Sequence, residues 1–479
     1  MSITINDIQQ FAGKNFYPPL PGDLVVNLNH NLKRAGFDDV VFLPFNKPEN
    51  HKIYDFLKGK HRLNVKALIA DREHPVVDAL TTPKLCVDDA YDLYRRLAKL
   101  ARSRFEGEMV MIIGSAGKTA LKIYLSQLMS DAKPCHAAVD SKNRTRSICR
   151  TLTSIPKGTD VCLVEAATAD PSSVIKRSEI IQPTIILASE FLEEHMKYHP
   201  NMNTLVATKL KSLNSLQGDK ILIHQYQEHL DSCIQKAVQA ACIDRVFTYG
   251  WSDRCDACIN AISLSPEGQT VSANVLGVDL QFQIPFMEKH AALQVTAAML
   301  LCKLFGLDLN QLKNKTSRLT NYESSGNMHL LQNKSGIKQI HLYSCCDRGS
   351  FPSFSALIET LKSTKDLHDG RRVAIFSKMR DFHYNKSYQF NDQNLIDSLN
   401  QSGIDLLITL WDFSLVHDVS RLSIPVIHYD TLLDLKSDLL GIIQNNDMVY
   451  LKGTWTVNES LKTIRDLLFS EFEFKRKLY

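Results

Sequence analysis

The chain has 479 residues, 44% hydrophobic and 23% charged, with a formal net charge of +4. This is the composition of an ordinary globular protein too long for one core, so two to four domains are expected. The small net charge, with no basic run and no basic-aromatic interleave, argues against a dedicated nucleic-acid binder. The opening MSITINDIQQ holds no basic segment followed by an apolar one, and no apolar run approaches the roughly 18 residues that span a bilayer. The expectation is a cytoplasmic protein with no membrane attachment, most simply a monomer.

In chain order, residues 40–43 and 65–70 read as short buried strands. Residues 88–104 read as a helix with Tyr91, Leu93, Leu97 and Leu100 at helical spacing. A strand is predicted over 108–113 and a helix over 118–129. Apolar strands follow at 160–165, 183–188 and 220–224. Strands alternating with helices predict an α/β fold with a mostly parallel sheet, whose ligands sit at the carboxyl ends of the strands. From about 247 to 286 short strands with a turn at 265–268 predict an antiparallel patch. Residues 290–305 form a predicted helix stopped by Gly306. Beyond about 317 the alternation restarts, with strands at 373–376, 406–410 and 449–452. The expected domains are 1–107, 108–316 and 317–479.

Eleven cysteines are scattered along the chain. Cys149, Cys162, Cys242 and Cys302 fall in apolar stretches and read as buried reduced thiols. Cys255 and Cys258 are spaced as half a zinc site, with no second pair at zinc spacing.

The chemistry concentrates at Met111-Ile112-Ile113-Gly114-Ser115-Ala116-Gly117-Lys118-Thr119, an apolar strand running into a Gly-rich turn that ends in Lys-Thr. Backbone N–H groups of Gly114, Ser115, Ala116 and Gly117 can wrap a phosphate at a helix N-terminus. A full Walker pattern needs Gly at 112, where Ile stands, so the motif is the shorter Gly-x-x-Gly-Lys-Thr. In it Lys118 reaches the terminal phosphates and the Thr119 hydroxyl ligates Mg²⁺. Glu165 ends a predicted strand, His195 lies in a polar stretch at 193–199, and Lys209 stands in a helix with other lysines. Taken singly, each of these three fits an ordinary structural or surface role. Their order along the chain points to a nucleoside triphosphate with magnesium.

These residues resemble the Mur ligase family, and within it the branch that adds D-alanyl-D-alanine. The phosphate loop of that branch matches residues 112–119, and its strand-end glutamate, a Mg²⁺ ligand, falls on Glu165. Its histidine after a Pro-led apolar strand falls on His195, and its lysine fourteen residues later falls on Lys209. That lysine carries a carbamate bridging a second Mg²⁺. Asn143 matches the first residue of an Asn-Asn pair. The match continues through Tyr54-Asp55-Phe56, Gly326 and Lys452-Gly453-Thr454. The resemblance implies three domains: N-terminal for substrate, central for ATP, and a Rossmann-like C-terminal ligase domain. It also implies ATP and Mg²⁺ as cofactors, a small-molecule acid and amine as substrates, and amide formation through an acyl phosphate. Lys118, His195 and Lys209 would then serve catalysis, with Thr119, Glu165, His195 and Lys209 at the metals.

The departures cluster at two ends. The family's Gly-x-His-Asn-x-x-Asn, which faces adenine, reads Glu288-Lys289-His290-Ala291-Ala292-Leu293-Gln294, leaving His290 and Gln294 as nucleotide contacts. Its Gly-Arg is Gly326-Asn327, and its Asp-Asp-Ser segment becomes Tyr343 to Ser350, with Asp347 or Arg348 off the matched position. Lys-Gly-Ser-Arg ends as Lys452-Gly453-Thr454-Trp455. The Asp-Ser-Arg that serves a uridine nucleotide is replaced around Asn29-His30-Asn31. Two readings follow: a ligase for an acid other than UDP-muramyl peptide, favoured by the retained loop, Glu, His and Lys, and a non-catalytic module that keeps the fold.

Overall fold

The computed structural model describes residues 2–43, 56–71, 73–138, 143–168, 170–193, 196–265, 267–321, 325–345, 351–377, 392–410, 419–453 and 461–476. Three sheets follow one another along the chain. The first runs in order β1 (Ile3–Thr4), β2 (Val25–Asn29), β3 (Asp39–Leu43), β4 (Ala67–Ala70) and β5 (Lys84–Cys86), antiparallel only between β1 and β2.

The second holds β6 (Glu108–Ile113), β7 (Cys135–Ala137), β8 (Val161–Glu165), β9 (Ile185–Ala188), β10 (Ile221–Gln225) and β11 (Arg245–Gly250), continued by β12 (Ala257–Ser265), β13 (Gly268–Val275) and β14 (Val278–Ile284). Its order is β14-β13-β12-β11-β10-β9-β6-β8-β7. Strands β7 to β11 and β6 are parallel, and β12 to β14 form the expected antiparallel patch. The third comprises β15 (Ser325–Asn333), β16 (Gln339–Cys345), β17 (Arg372–Ser377), β18 (Leu406–Leu410), β19 (Val426–Tyr429), β20 (Asp447–Lys452) and β21 (Phe472–Arg476). Its order is β19-β18-β17-β20-β16-β15-β21, with antiparallel pairing only at β15 and β21.

Strand β6 shows why the second sheet is apolar on both sides. Met109, Met111 and Ile113 enter one core with Leu93, Leu97 and Leu152, while Val110 and Ile112 enter another with Leu121, Tyr124, Leu125 and the helix Lys289–Leu304. A parallel sheet covered by helices on both faces requires such uninterrupted apolar strands. The first of these cores also takes in Ile3, Val40 and Ile69, so the first two sheets share buried surface.

The helix Ala90–Ser103 matches its prediction. Asp89 caps it by accepting from Asp92 N, and Leu93, Leu97 and Ala101 line its buried face. The strand expected at 65–70 begins at Ala67. Val65 is buried outside the ladder, in a small cluster with Leu57, Leu63 and Leu80. Cys149, Cys162 and Cys302 are buried as expected, and burial pushes the Cys149 and Cys302 thiols up to about 12. Cys242 is a correction: it is exposed, at φ +51° in the turn after the helix Asp231–Ala240, where chain reversal brings it to the surface.

Arg102 ties the helix Ala90–Ser103 to the second sheet's layer. Its buried guanidinium donates to Ile181 O at 2.8 Å, Gln182 O at 2.7 and 3.0 Å and Phe105 O at 2.9 Å. Hydrogen bonds to a charged group contribute about 1.5–3 kcal/mol, and orphaned carbonyls add a desolvation cost. Arg102→Ala is therefore expected to cost about 2–3 kcal/mol or more, read as a lower denaturant midpoint.

In the third sheet His341 and His368 meet edge to face at 4.2 Å between ring centroids. They border an apolar cavity of about 240 Å³ with Met287, Met328, Leu330 and Met448. Burial, then the neighbouring His368, lowers His341 to about 4. Below the ordinary histidine value the unfolded chain binds the extra proton, so this group's stability is full above about pH 6.5 and is lost as pH falls towards 4. The urea midpoint of the wild type should therefore fall more steeply across that window than that of His341→Gln.

Candidate functional site

The strand order makes the site. Strand β6 lies between β8 and β9, with Ile112 opposite Glu165 and Ile113 opposite Ala188. The turn leaving β6 therefore opens between the ends of those two neighbours, the position where parallel sheets bind ligands. Gly114 (φ +124°) and Gly117 (φ +79°) bend it through backbone angles closed to side chains. Gly117 precedes the helix Lys118–Met129 with no side-chain cap, which leaves the first helical N–H groups for an anion.

The carbonyls of the turn are held by the protein itself. Ser189 Oγ donates to Ile113 O at 3.1 Å and Ala116 O at 2.6 Å. Lys118 Nζ donates to Gly114 O at 2.8 Å and Ser115 O at 2.7 Å. The Ser115 hydroxyl donates to Leu192 O at 2.8 Å, and its N–H to Glu190 O at 2.8 Å. Carbonyl oxygens engaged in this way are kept off an incoming phosphate.

Glu165, 3% exposed, is the hub of the second half. Its Oε2 accepts from Thr119 Oγ1 at 2.9 Å and faces Lys122 Nζ at 3.6 Å, while Oε1 accepts from Asn143 Nδ2 at 3.2 Å. Lys209, 2% exposed, enters from the helix Met202–Leu210 and donates to Gly114 O and to Thr168 Oγ1, both at 3.2 Å. Lys118, Thr119, Asn143, Glu165 and Lys209, spread over more than ninety residues, thus meet around one turn. The Thr119 hydroxyl and Glu165 carboxylate are the hard oxygen donors that Mg²⁺ takes, so the residues present fit that ion with further oxygens from phosphate and water. Among the described residues there is no cluster of three or more His, Cys, Asp or Glu at metal spacing.

His290 and Gln294 lie on the helix Lys289–Leu304 beyond the turn. Gln294 packs its carboxamide against Gly117, where any Cβ would collide with it, and its buried Oε1 has no hydrogen-bond partner among the described residues. Gly117→Ala adds left-handed strain of about 1–2 kcal/mol to that collision. It is expected to lower nucleotide affinity about tenfold or more with the fold retained, measured by calorimetry. One residue before that helix, the buried Glu288 carboxylate accepts from Tyr343 OH of the third sheet and sits against Gly326.

His195 lies outside the described residues, as do Tyr54, Asp55, Asp347, Arg348, Thr454 and Trp455. Lys452 and Gly453 are buried at the end of β20. Three residues of the site escape the motifs: Lys122, Ser189 and Thr168. Lys122 was open to detection, since it follows Thr119 by three and Lys118 by four and so shares their helix face. Ser189 and Thr168 carry no sequence signal beyond standing just past strand ends.

Residues 112–302 match the Mur ligase middle domain. That stretch of the chain is similar to the middle domain of the Mur ligase family. The family's members are ATP-dependent carboxylate–amine ligases that use Mg²⁺. Among characterised relatives, the UDP-N-acetylmuramoyl-tripeptide–D-alanyl-D-alanine ligase of Bacillus subtilis is 23% identical over 56% of this chain and 56% of its own length. The ligase of that name from Rickettsia prowazekii is 17% identical over 85% of this chain and 88% of its own. The alignment with the Bacillus protein thus spans little more than half of it. Among solved structures, MurF from Acinetobacter baumannii superposes with a TM-score of 0.80 at 15% identity, covering 98% of this chain and 99% of that one. MurF ligase from Thermotoga maritima, solved with ADP, gives 0.73 at 15% identity over 93% and 97%. At such identities these likenesses concern the fold, which is the three-domain α/β architecture of the Mur ligases.

Proposed function

We propose that this chain is an ATP-dependent ligase that joins a small-molecule carboxylate to an amine, on an acid other than the usual UDP-muramyl peptide. The observation that carries the proposal is the convergence of Lys118, Thr119, Glu165 and Lys209 on the turn after β6. In the reaction the γ-phosphate passes to the carboxylate, the amine attacks the acyl phosphate, and a tetrahedral intermediate collapses to amide and inorganic phosphate. Such chemistry asks chiefly for charge neutralisation and positioning. Mg²⁺ on Thr119 and Glu165 would supply charge stabilisation at the phosphates. Lys118 exchanges the loop carbonyls for phosphate oxygens. Lys209, with His195, would complete the metal set, its amine carrying a carbamate.

The altered ends support a different acid and a repositioned base. A polar cavity of about 290 Å³ between the first and second sheets is lined by His30, Asn31 and Arg34 on one side and His136, Ser147 and Arg150 on the other. With Arg34 and Arg150 in its lining, the cavity suits an acidic substrate. Calorimetric titration with Mg²⁺-ATP and a non-hydrolysable analogue tests the proposal, followed by phosphate release over a panel of acids and amines. Micromolar binding and acid-dependent phosphate release are expected. Folded protein that binds neither nucleotide would overturn the ligase in favour of a non-catalytic module.

A further inference from the structure

The proposed chemistry leaves one buried charge of the site without a part. Lys122 is 1% exposed on the helix Lys118–Met129. Its ammonium stands 3.6 Å from Glu165 Oε2, the oxygen that also accepts from Thr119, while Asn143 holds the other carboxylate oxygen. Burying an ammonium is costly unless an opposite charge accompanies it, so Lys122 persists there by virtue of Glu165. The same geometry sets a condition on any divalent ion that comes to that carboxylate. A bare dication must share Glu165 with a fixed ammonium in a medium that screens poorly, and the two cations repel. A triphosphate arriving with the ion brings enough negative charge to offset that repulsion.

We infer that Lys122 is a resident counter-cation: a positioning residue that keeps the Glu165 carboxylate aimed and bars the bare ion, so that metal enters only together with nucleotide. The inference rests on the proposed role of Glu165 as a metal ligand.

The test uses Mn²⁺ as probe, followed by electron paramagnetic resonance on the full chain, with and without a non-hydrolysable ATP analogue. Wild type should bind Mn²⁺ alone only weakly and about tenfold or more tighter with the analogue. Lys122→Gln should bind Mn²⁺ alone about tenfold tighter than wild type, and its lowered melting temperature should rise with Mn²⁺ more than the wild type's. Lys122→Arg should behave as wild type. Equal affinity of Lys122→Gln and wild type for Mn²⁺ alone would overturn the inference. So would tight binding of Mn²⁺ alone to wild type, an arm that decides the matter even if Lys122→Gln fails to fold. Failure of Glu165→Gln to weaken Mn²⁺ binding in the presence of the analogue would overturn the ligand role itself, and the inference with it. That result is distinct from an unchanged Lys122→Gln.

Discussion

Lys118→Ala is expected to remove nucleotide binding while leaving the protein folded. The side chain is half-buried, and it donates to the turn's own carbonyls, Gly114 O and Ser115 O at 2.8 and 2.7 Å. Those bonds hold the ammonium in place at the mouth of the turn until phosphate oxygens replace them. Charge-assisted hydrogen bonds contribute about 1.5–3 kcal/mol each, so losing two or three to a triphosphate lowers affinity by about a hundredfold or more. Calorimetry with Mg²⁺-ATP reads the loss, and circular dichroism reads the fold. Unchanged affinity in this variant would remove the turn from the nucleotide site.

Glu165→Ala carries the largest expected stability effect. Its carboxylate is the counter-charge of Lys122, both groups being 2% exposed or less in their side chains. Removing one member of a buried pair leaves the other uncompensated, at a cost of about 3–5 kcal/mol. The Thr119 hydroxyl and Asn143 amide lose their acceptor at the same time. A marked fall in the unfolding midpoint is expected, with Glu165→Gln intermediate because it keeps an acceptor and loses the charge. A second substitution, Lys122→Met, should restore most of the lost stability to Glu165→Ala by removing the stranded ammonium. Equal stabilities for wild type and Glu165→Ala would show that the pair contributes nothing to the fold.

Much of the site was legible in the sequence because its chemistry is local. The run from Met111 to Thr119 states strand, glycine turn and helix within nine residues, and β6 and the helix Lys118–Met129 keep their predicted bounds. The antiparallel patch, the helix after Glu288 and the restart of alternation beyond 317 are similarly local patterns of period and punctuation. The resemblance to the family depended on ordered spacing from Ile112 to Lys209, which a single chain preserves whatever its folding does. What stayed hidden involves partners distant in sequence. The helix face that Lys122 shares with Lys118 and Thr119 is legible, but its partner is not until β8 delivers Glu165 beside it. Ser189 and Thr168 acquire meaning only as donor and acceptor to the turn and to Lys209. Cys242 looked buried because its neighbours are apolar, and the chain reversal after its helix put it in solvent.

The sequence by itself determined the phosphate turn and the alternation that demands a parallel sheet, because each is a short-range pattern with one stable local outcome. Only the tertiary structure decided which charges face one another. The order β9-β6-β8 places Glu165 and Ser189 on either side of one turn, and the buried helix Lys289–Leu304 presses Gln294 against Gly117. Electrostatics at such a point depends on distances of a few ångströms between groups separated by tens of residues, and those distances are set by packing.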